Sequence, residues 1–313
     1  MNEQPISLSE DSRDLIQRFH EDCMLRGIVS TMDYIYRARE FCAFLEARGK
    51  TPMNVDKDDI KAFLARLKDR GLKSKTIDRI FSCIGALYGF LIEEDLVEHN
   101  PILPFRKRYL RKYKSDSDSE IRKLISIEDA SKLVNSVLDT KDRCILVLLF
   151  KTGIRVGELI NLDVDDVDLE KGEVHLKPTS KRSNRVLYLD NEAVTSLNRW
   201  LISRMNRRGS EGPALFISRA GSRMTKGAIE SIVEKHAERV GLHNPKSNKL
   251  GDRFTPHCCR HWFVTYLLRA GMSRDYVKEL RGDTRGEAID IYHHIDRKSL
   301  RDSYLALIPQ LGI

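Results

Sequence analysis

The chain has 313 residues, a hydrophobic fraction of 41% and a formal net charge of +8. That length supplies two ordinary domains with a core each, and the basic balance favours a polyanionic partner: nucleic acid, an anionic membrane surface or an acidic protein. The most apolar run, Cys144 to Phe150, is far short of the roughly 20 residues that span a bilayer. Residues 1–14 lack the order of a signal peptide, and the six cysteines (23, 42, 83, 144, 258, 259) form no CxxC pair, so a membrane protein, an exported chain and a disulfide scaffold are disfavoured. Reduced thiols in a cytoplasmic protein are expected.

From Leu8 to about Glu98 the apolar residues recur at helical spacing, as in Tyr34, Phe41, Phe44 and Leu45, then Ile60, Phe63, Leu64 and Leu67. Four helices are predicted, over 8–26, 31–48, 57–70 and 75–94. Asp56 and Ser74 stand as N-caps of the last two. After Asn100-Pro101, a run of Arg106, Lys107, Arg108, Arg111, Lys112 and Lys114 gives way to Asp116, Asp118 and Glu120. That composition predicts an interdomain linker over 101–125, either a solvated tether or a basic strap along a phosphate backbone.

A second unit begins with a helix near Ser126 to Leu138, capped by Ser126, and continues into a buried helix over 141–151 that Gly153 ends. Between Gly172 and Asp190, apolar residues at 174, 176, 186, 187 and 189 flank a polar turn, which predicts a β-hairpin. Helical patterns return at 191–206, 225–240, 257–270, 273–281 and 285–292. A last amphipathic stretch, Leu300 to Ile308, packs on its own domain or docks into a neighbour. No internal repeat is present. The expected fold is mainly α: a helical N-terminal unit, a linker, and a mixed α+β domain with one small antiparallel sheet.

Four elements of the second unit could carry chemistry. In T-G-I-R-V-G-E-L, Arg155 follows a glycine turn and opens a helix, with Glu158 three residues on. In S-K-R-S-N-R, Lys181 lies at the hairpin turn, where a flexible ammonium can enter a DNA groove. In T-P-H-C-C-R-H-W-F, His257 and Arg260 share a face of a helix that follows Pro256. In L-R-G-D-T-R-G-E-A-I-D-I-Y-H-H, Tyr292 sits in a polar, histidine-rich setting. Alone, each has a structural explanation: an Arg–Glu brace, a solvated lysine, a helix face, a packing tyrosine.

In this order and spacing the four resemble the tyrosine recombinase or phage integrase family, in its Xer-like branch. That family's signature is Arg, Lys, His-x-x-Arg, a His or Trp, then Tyr. The resemblance covers nearly the whole chain and is most specific over 152–162 and 255–292. It implies a helical, SAM-like core-DNA-binding domain over 1–100 that clamps DNA, a basic linker over 101–125, and a catalytic domain over 126–313. The implied activity is site-specific recombination of double-stranded DNA through a 3′-phosphotyrosine intermediate.

By the same resemblance Tyr292 is the nucleophile, Arg155 and Arg260 grip the non-bridging oxygens, and Lys181 protonates the departing 5′-oxygen. His257 hydrogen-bonds the phosphate or assists proton transfer, and Glu158 braces the pocket. Lys177, also on the hairpin, is the other candidate for the acid. No metal or nucleotide cofactor is implied. The family assembles as a homo-tetramer on paired DNA sites and exchanges C-terminal pieces; a monomer or dimer is expected free of DNA, in a cytoplasmic, nucleoid-associated location.

One departure stands out. Where the family places His or Trp, this chain reads Arg281-Gly282-Asp283, a turn whose local texture resembles archaeal members. A carboxylate cannot donate to a phosphate, so Asp283 is left outside the catalytic set, with Arg281, Arg285, His293 and His294 as candidates for the missing contact. Three other readings carry less weight: a zinc site of His257, Cys258, Cys259 and His261, a non-catalytic DNA-binding protein on the same fold, and a type IB topoisomerase.

Overall fold

The computed structural model describes residues 8–28, 31–110, 123–178, 186–247, 249–282 and 295–313. By its internal contacts the chain divides into two compact units, residues 1–119 and 120–313.

Unit one is helical: α1 (Glu10–Leu25), α2 (Thr31–Glu46), α3 (Lys57–Asp69), α4 (Ser74–Glu93) and α5 (Ile102–Tyr109). Its core is aromatic, with Phe19, Phe41, Phe63 and Phe81 fully buried, and Phe63 meets Phe41 edge-on at 5.1 Å. Asp56 caps α3 as the sequence predicts, accepting from the Asp58 and Asp59 amides. Ser74 does not cap α4: it is the first helical residue, and Lys73 holds the cap position without a side-chain bond.

The stretch read as linker from residue 101 begins instead as α5. Ile102 and Phe105, three residues apart, are buried in the unit-one core, and Phe105 stacks on Phe81 at 5.5 Å between ring centroids. Asn100 fixes the entry, accepting from the Ile102 amide at 3.0 Å and donating to the Gly85 carbonyl at 2.9 Å. The basic residues that resemble a tether are the outer face of this helix, with Arg106 paired to Asp78 at 3.0 Å and Lys107 and Arg108 exposed. Residues 111–122, the remainder of the basic and acidic run, lie outside the described residues.

Unit two is built around α7 (Thr140–Thr152), which packs against α6 (Ile127–Asn135), α9 (Asn191–Met205), α10 (Lys226–Arg239) and α11 (Pro256–Arg269). Surrounded in this way, α7 has no solvent face for most of its length: Cys144, Ile145, Leu146, Val147, Leu149 and Phe150 are all 0% exposed. Short α8 (Val156–Ile160) follows, and α12 (Arg274–Arg281) and α13 (Arg297–Leu307) close the unit.

The small sheet has the order β1 (Val167–Asp168), β2 (Glu173–His175), β3 (Val186–Tyr188), antiparallel throughout. Val174 opposes Leu187, and both point into the core. These are the two arms of the predicted hairpin; its turn, 179–185, lies outside the described residues, as does the predicted helix from 285 to 292. The last amphipathic stretch packs on its own domain, with Leu300, Tyr304, Ile308 and Leu311 all buried there. No described helix is long and apolar enough to cross a membrane.

Candidate active site

The site grows out of the end of α7. Gly153 terminates that helix in the left-handed region, φ 58°, where a glycine carries no steric penalty. Space demands glycine there too, because a Cβ would stand 2.5 Å from the ring of Phe263 on α11. The chain then extends through Ile154 and Arg155 before α8 begins.

Glu158 holds Arg155 at two points. One carboxylate oxygen accepts from the Arg155 amide at 2.9 Å and the other from its guanidinium at 3.0 Å. The Glu158 side chain is only 8% exposed, whereas that of Arg155 keeps 33%. The acid is therefore an internal brace and the arginine the group presented outward, as the i, i+3 spacing suggests.

Helix α11 supplies the second cation. Thr255 holds the N-cap position and Pro256 the first turn, so His257 emerges exposed at the start of the helix while Arg260, one turn later, is buried. Cys259, Trp262 and Phe263 bury the opposite side of α11, with Trp262 edge-on to Phe150 of α7 at 5.1 Å. Arg260 donates to the main-chain carbonyl of Gly153 and, at 2.7 Å, to that of Arg281. Two of its five N–H groups thus tie the turn before Arg155 to the end of α12.

Beyond Arg281, Gly282 caps α12 in the left-handed region, φ 65°. Tyr292, Asp283, Arg285, His293 and His294 lie outside the described residues, and so does Lys181. The flanks of 283–294 are anchored on both sides. Arg260 holds α12, while Arg297, the first residue of α13, pairs with Glu279 of α12 at 2.8 Å. The Glu279 side chain is 4% exposed. Sequence reasoning passed over Glu279, since a lone acid whose partner lies 18 positions away leaves no short-range pattern.

Lys177 is committed elsewhere. Its ammonium lies 2.5 Å from Asp163, whose other oxygen takes Arg223. Arg223 and then Lys177 hold the Asp163 carboxyl below the ordinary carboxylate range. Arg223 also donates to the carbonyls of Ile160 and Leu162 at 2.8 and 2.9 Å. This cluster fixes the loop after α8, and neither Asp163 nor Arg223 was marked by the sequence.

Tyr304 is likewise occupied. Its hydroxyl donates to the Lys151 carbonyl at 2.9 Å, and burial pushes its phenol well above the ordinary range. The cysteines beside His257 offer no ligand face: Cys258 and Cys259 are both buried, and burial drives the Cys259 thiol well above its ordinary value. Among the described residues no group of three or more His, Cys, Asp or Glu could hold a metal ion.

The chemistry available is that of two fixed guanidiniums and an exposed imidazole at a helix start. Planar guanidinium donors match phosphate oxygens and stay charged at any physiological pH. Arg155 is ordered by a carboxylate and Arg260 by two main-chain carbonyls, so both guanidiniums are held in place by the protein itself.

The chain is similar to known proteins along most of its length. Residues 117–299 match the phage integrase family model, and residues 14–95 match the model of the phage integrase N-terminal SAM-like domain. A tyrosine recombinase XerC of Roseiflexus castenholzii is 30% identical over 271 residues, covering 83% of this chain and 81% of that protein. A tyrosine recombinase XerD of Listeria monocytogenes is 26% identical over 310 residues, 95% of this chain and 99% of that protein. Among solved structures, the Tn1549 transposon integrase in complex with transposon right end DNA has a TM-score of 0.69 at 22% identity, covering 94% of this chain and 99% of that one.

Proposed function

The chain belongs to the phage integrase family, as a DNA strand-transferring tyrosine recombinase of the Xer type, and on that footing we propose how its residues divide the work. Tyr292 attacks the scissile phosphate, giving a 3′-phosphotyrosine and a free 5′-hydroxyl. The phosphodiester energy is kept in the new bond, and the 5′-hydroxyl of a different strand reverses the step. Arg155 and Arg260 hold the non-bridging oxygens and neutralise the charge that develops on them. Lys181 protonates the departing 5′-oxygen, and His257 hydrogen-bonds the phosphate or assists the proton leaving Tyr292, whose ordinary pKa of about 10 keeps it neutral beforehand.

The observation that carries this division is the pair of hydrogen bonds that Arg260 donates to the carbonyls of Gly153 and Arg281. It draws together the two stretches that hold the signature arginines and the start of the segment leading to Tyr292. The engagement of Lys177 by Asp163 supports Lys181 as the acid. The DNA-clamping role of residues 1–100, the linker role of the stretch between Leu110 and Ser126, nucleoid association and a homo-tetramer on paired sites belong to the same proposal, and rest on the family resemblance. Exchange of C-terminal pieces between protomers would require Glu192 to release the amides of Leu311 and Ile313, which it holds in the same chain.

Nicked double-stranded DNA carrying candidate sites tests the reading. A denaturant-resistant protein–DNA adduct that then resolves onto a second, different duplex supports a recombinase. Relaxation of supercoils on any sequence, without joining to a new partner, supports the topoisomerase alternative. DNA binding with no adduct supports the non-catalytic one.

A further inference from the structure

Lys151 is a lysine with a 0% exposed side chain, one residue from the end of α7 and two before Gly153. Such burial is tolerated only when every ammonium hydrogen finds an acceptor. Here each does: Asp190 at 2.6 Å, Glu192 at 2.5 Å and the carbonyl of Pro309 at 2.7 Å.

One ammonium against two carboxylates leaves a surplus negative charge in the interior, and N–H donors from segment 308–313 answer it. Leu311 and Ile313 donate their amides to Glu192 at 2.8 and 3.0 Å, and Gln310 donates to Asp190 at 3.2 Å. Ser131 and Asn135 of α6 donate to the Leu311 carbonyl at 2.6 and 3.1 Å, and the Leu311 side chain is 1% exposed. The segment is seated largely by its main chain in a socket built from charged and polar side chains.

That socket sits directly behind the active-site turn. The side chain of Lys151 is gripped by segment 308–313, and its carbonyl takes the hydroxyl of Tyr304 from α13. Two residues on, the carbonyl of Gly153 takes Arg260; two further on stands Arg155. Both arginines therefore depend on the placement of one helix end.

We propose that Lys151 is a positioning residue for strand cleavage: seating of segment 308–313 on Lys151 and Glu192 fixes the turn that orients Arg155 and Arg260. The coupling acts within one chain and rests on the assignment of those two arginines to the phosphate. Misplacement of a reacting group by about 1 Å from a distant change costs on the order of a hundredfold in rate.

The test uses the full chain, a chain ending at Ile308, and Glu192→Gln in the full chain. Each is examined for thermal unfolding, affinity for site DNA, single-turnover adduct formation at saturating protein, and amide hydrogen exchange over residues 152–156. With the temperature held below every unfolding transition, both variants are expected to bind DNA within about threefold of the parent. They should form adduct about ten- to a hundredfold more slowly and exchange faster over 152–156. Adding the truncation to Glu192→Gln should cost little more than either alone, because both act by one route.

Unchanged adduct rates in both variants overturn the proposal, as do slow rates matched by equal losses of DNA affinity and folding, which mark a general structural role. Should the parent chain form no adduct, the functional reading fails instead. Exchange over 152–156 then decides the coupling alone: faster exchange supports it and unchanged exchange overturns it.

Discussion

Arg260 donates to the carbonyl of Gly153, a residue separated from it by 107 positions and held against Phe263 of Arg260's own helix. The arginine is at once a phosphate ligand in the proposed mechanism and a strut between the turn before Arg155 and the end of α12. Arg260→Lys keeps the charge and loses the fork. It is expected to reduce adduct formation by a hundredfold or more, about 3 kcal/mol of transition-state stabilisation, with DNA affinity changed only a few-fold. Single-turnover cleavage beside an anisotropy titration checks both; near-parental cleavage by the lysine variant would remove Arg260 from the phosphate.

Gly153→Ala meets two obstacles, a positive φ and a Cβ placed 2.5 Å from the Phe263 ring. Strain of roughly 1–2 kcal/mol and overpacking of roughly 1–3 kcal/mol predict a loss of about 2–5 kcal/mol in denaturant unfolding. Phe263→Leu in the same chain should recover part of the packing share and none of the backbone share. A cost under about 0.5 kcal/mol would mean that the turn relaxes freely.

How much of this was legible in sequence follows from how local each signal is. Asp56, Ser126 and Gly153 were readable because caps and left-handed turns are decided within four residues. The Arg155–Glu158 brace was readable for the same reason. Helix α5 was hidden because its basic outer face dominates the composition, and only Ile102 and Phe105 betray a buried stripe. Lys151, Glu279, Asp163 and Arg223 were invisible because their partners stand 39, 18, 14 and 60 positions away. The family signature reaches across such distances only because it is a recurring order of residues, and Asp283 marks where this chain departs from that order.

Lys177 and Lys181 should separate cleanly. Lys177→Ala breaks a half-exposed pair with Asp163, which costs roughly 0–1 kcal/mol of stability and leaves cleavage within a few-fold. Lys181→Ala removes the general acid and should slow cleavage by about a hundredfold or more. A substrate whose 5′-bridging oxygen is replaced by sulfur leaves without a proton, so it should restore cleavage to Lys181→Ala and not to Arg260→Lys. Restoration in Lys177→Ala alone would reverse the assignment.

Acid titration tests the socket beneath the site. Burial alone would raise the Glu192 carboxyl; the Lys151 ammonium and the amides of Leu311 and Ile313 outweigh it and hold the group below its ordinary 4.5. A carboxyl depressed in the folded state contributes stability above its unfolded value, and that contribution is lost as pH falls through the folded one. Glu192→Gln should therefore be less stable at pH 7, by about 1–3 kcal/mol, and lose less stability below pH 4.5 than the parent. Urea unfolding at a series of pH values reads this directly, and parallel curves would show that Glu192 titrates alike in both states.

The central claim is that Tyr292 itself becomes joined to DNA at a 3′-phosphate. Protease digestion of the denatured adduct, followed by fragmentation mass spectrometry, locates the nucleotide on one peptide, and end-labelling of the DNA shows which end is left free. The account predicts a nucleotide on Tyr292, a free 5′-hydroxyl, and no adduct with Tyr292→Phe. A modified Tyr304 or any other residue, or an adduct that persists in Tyr292→Phe, would contradict it.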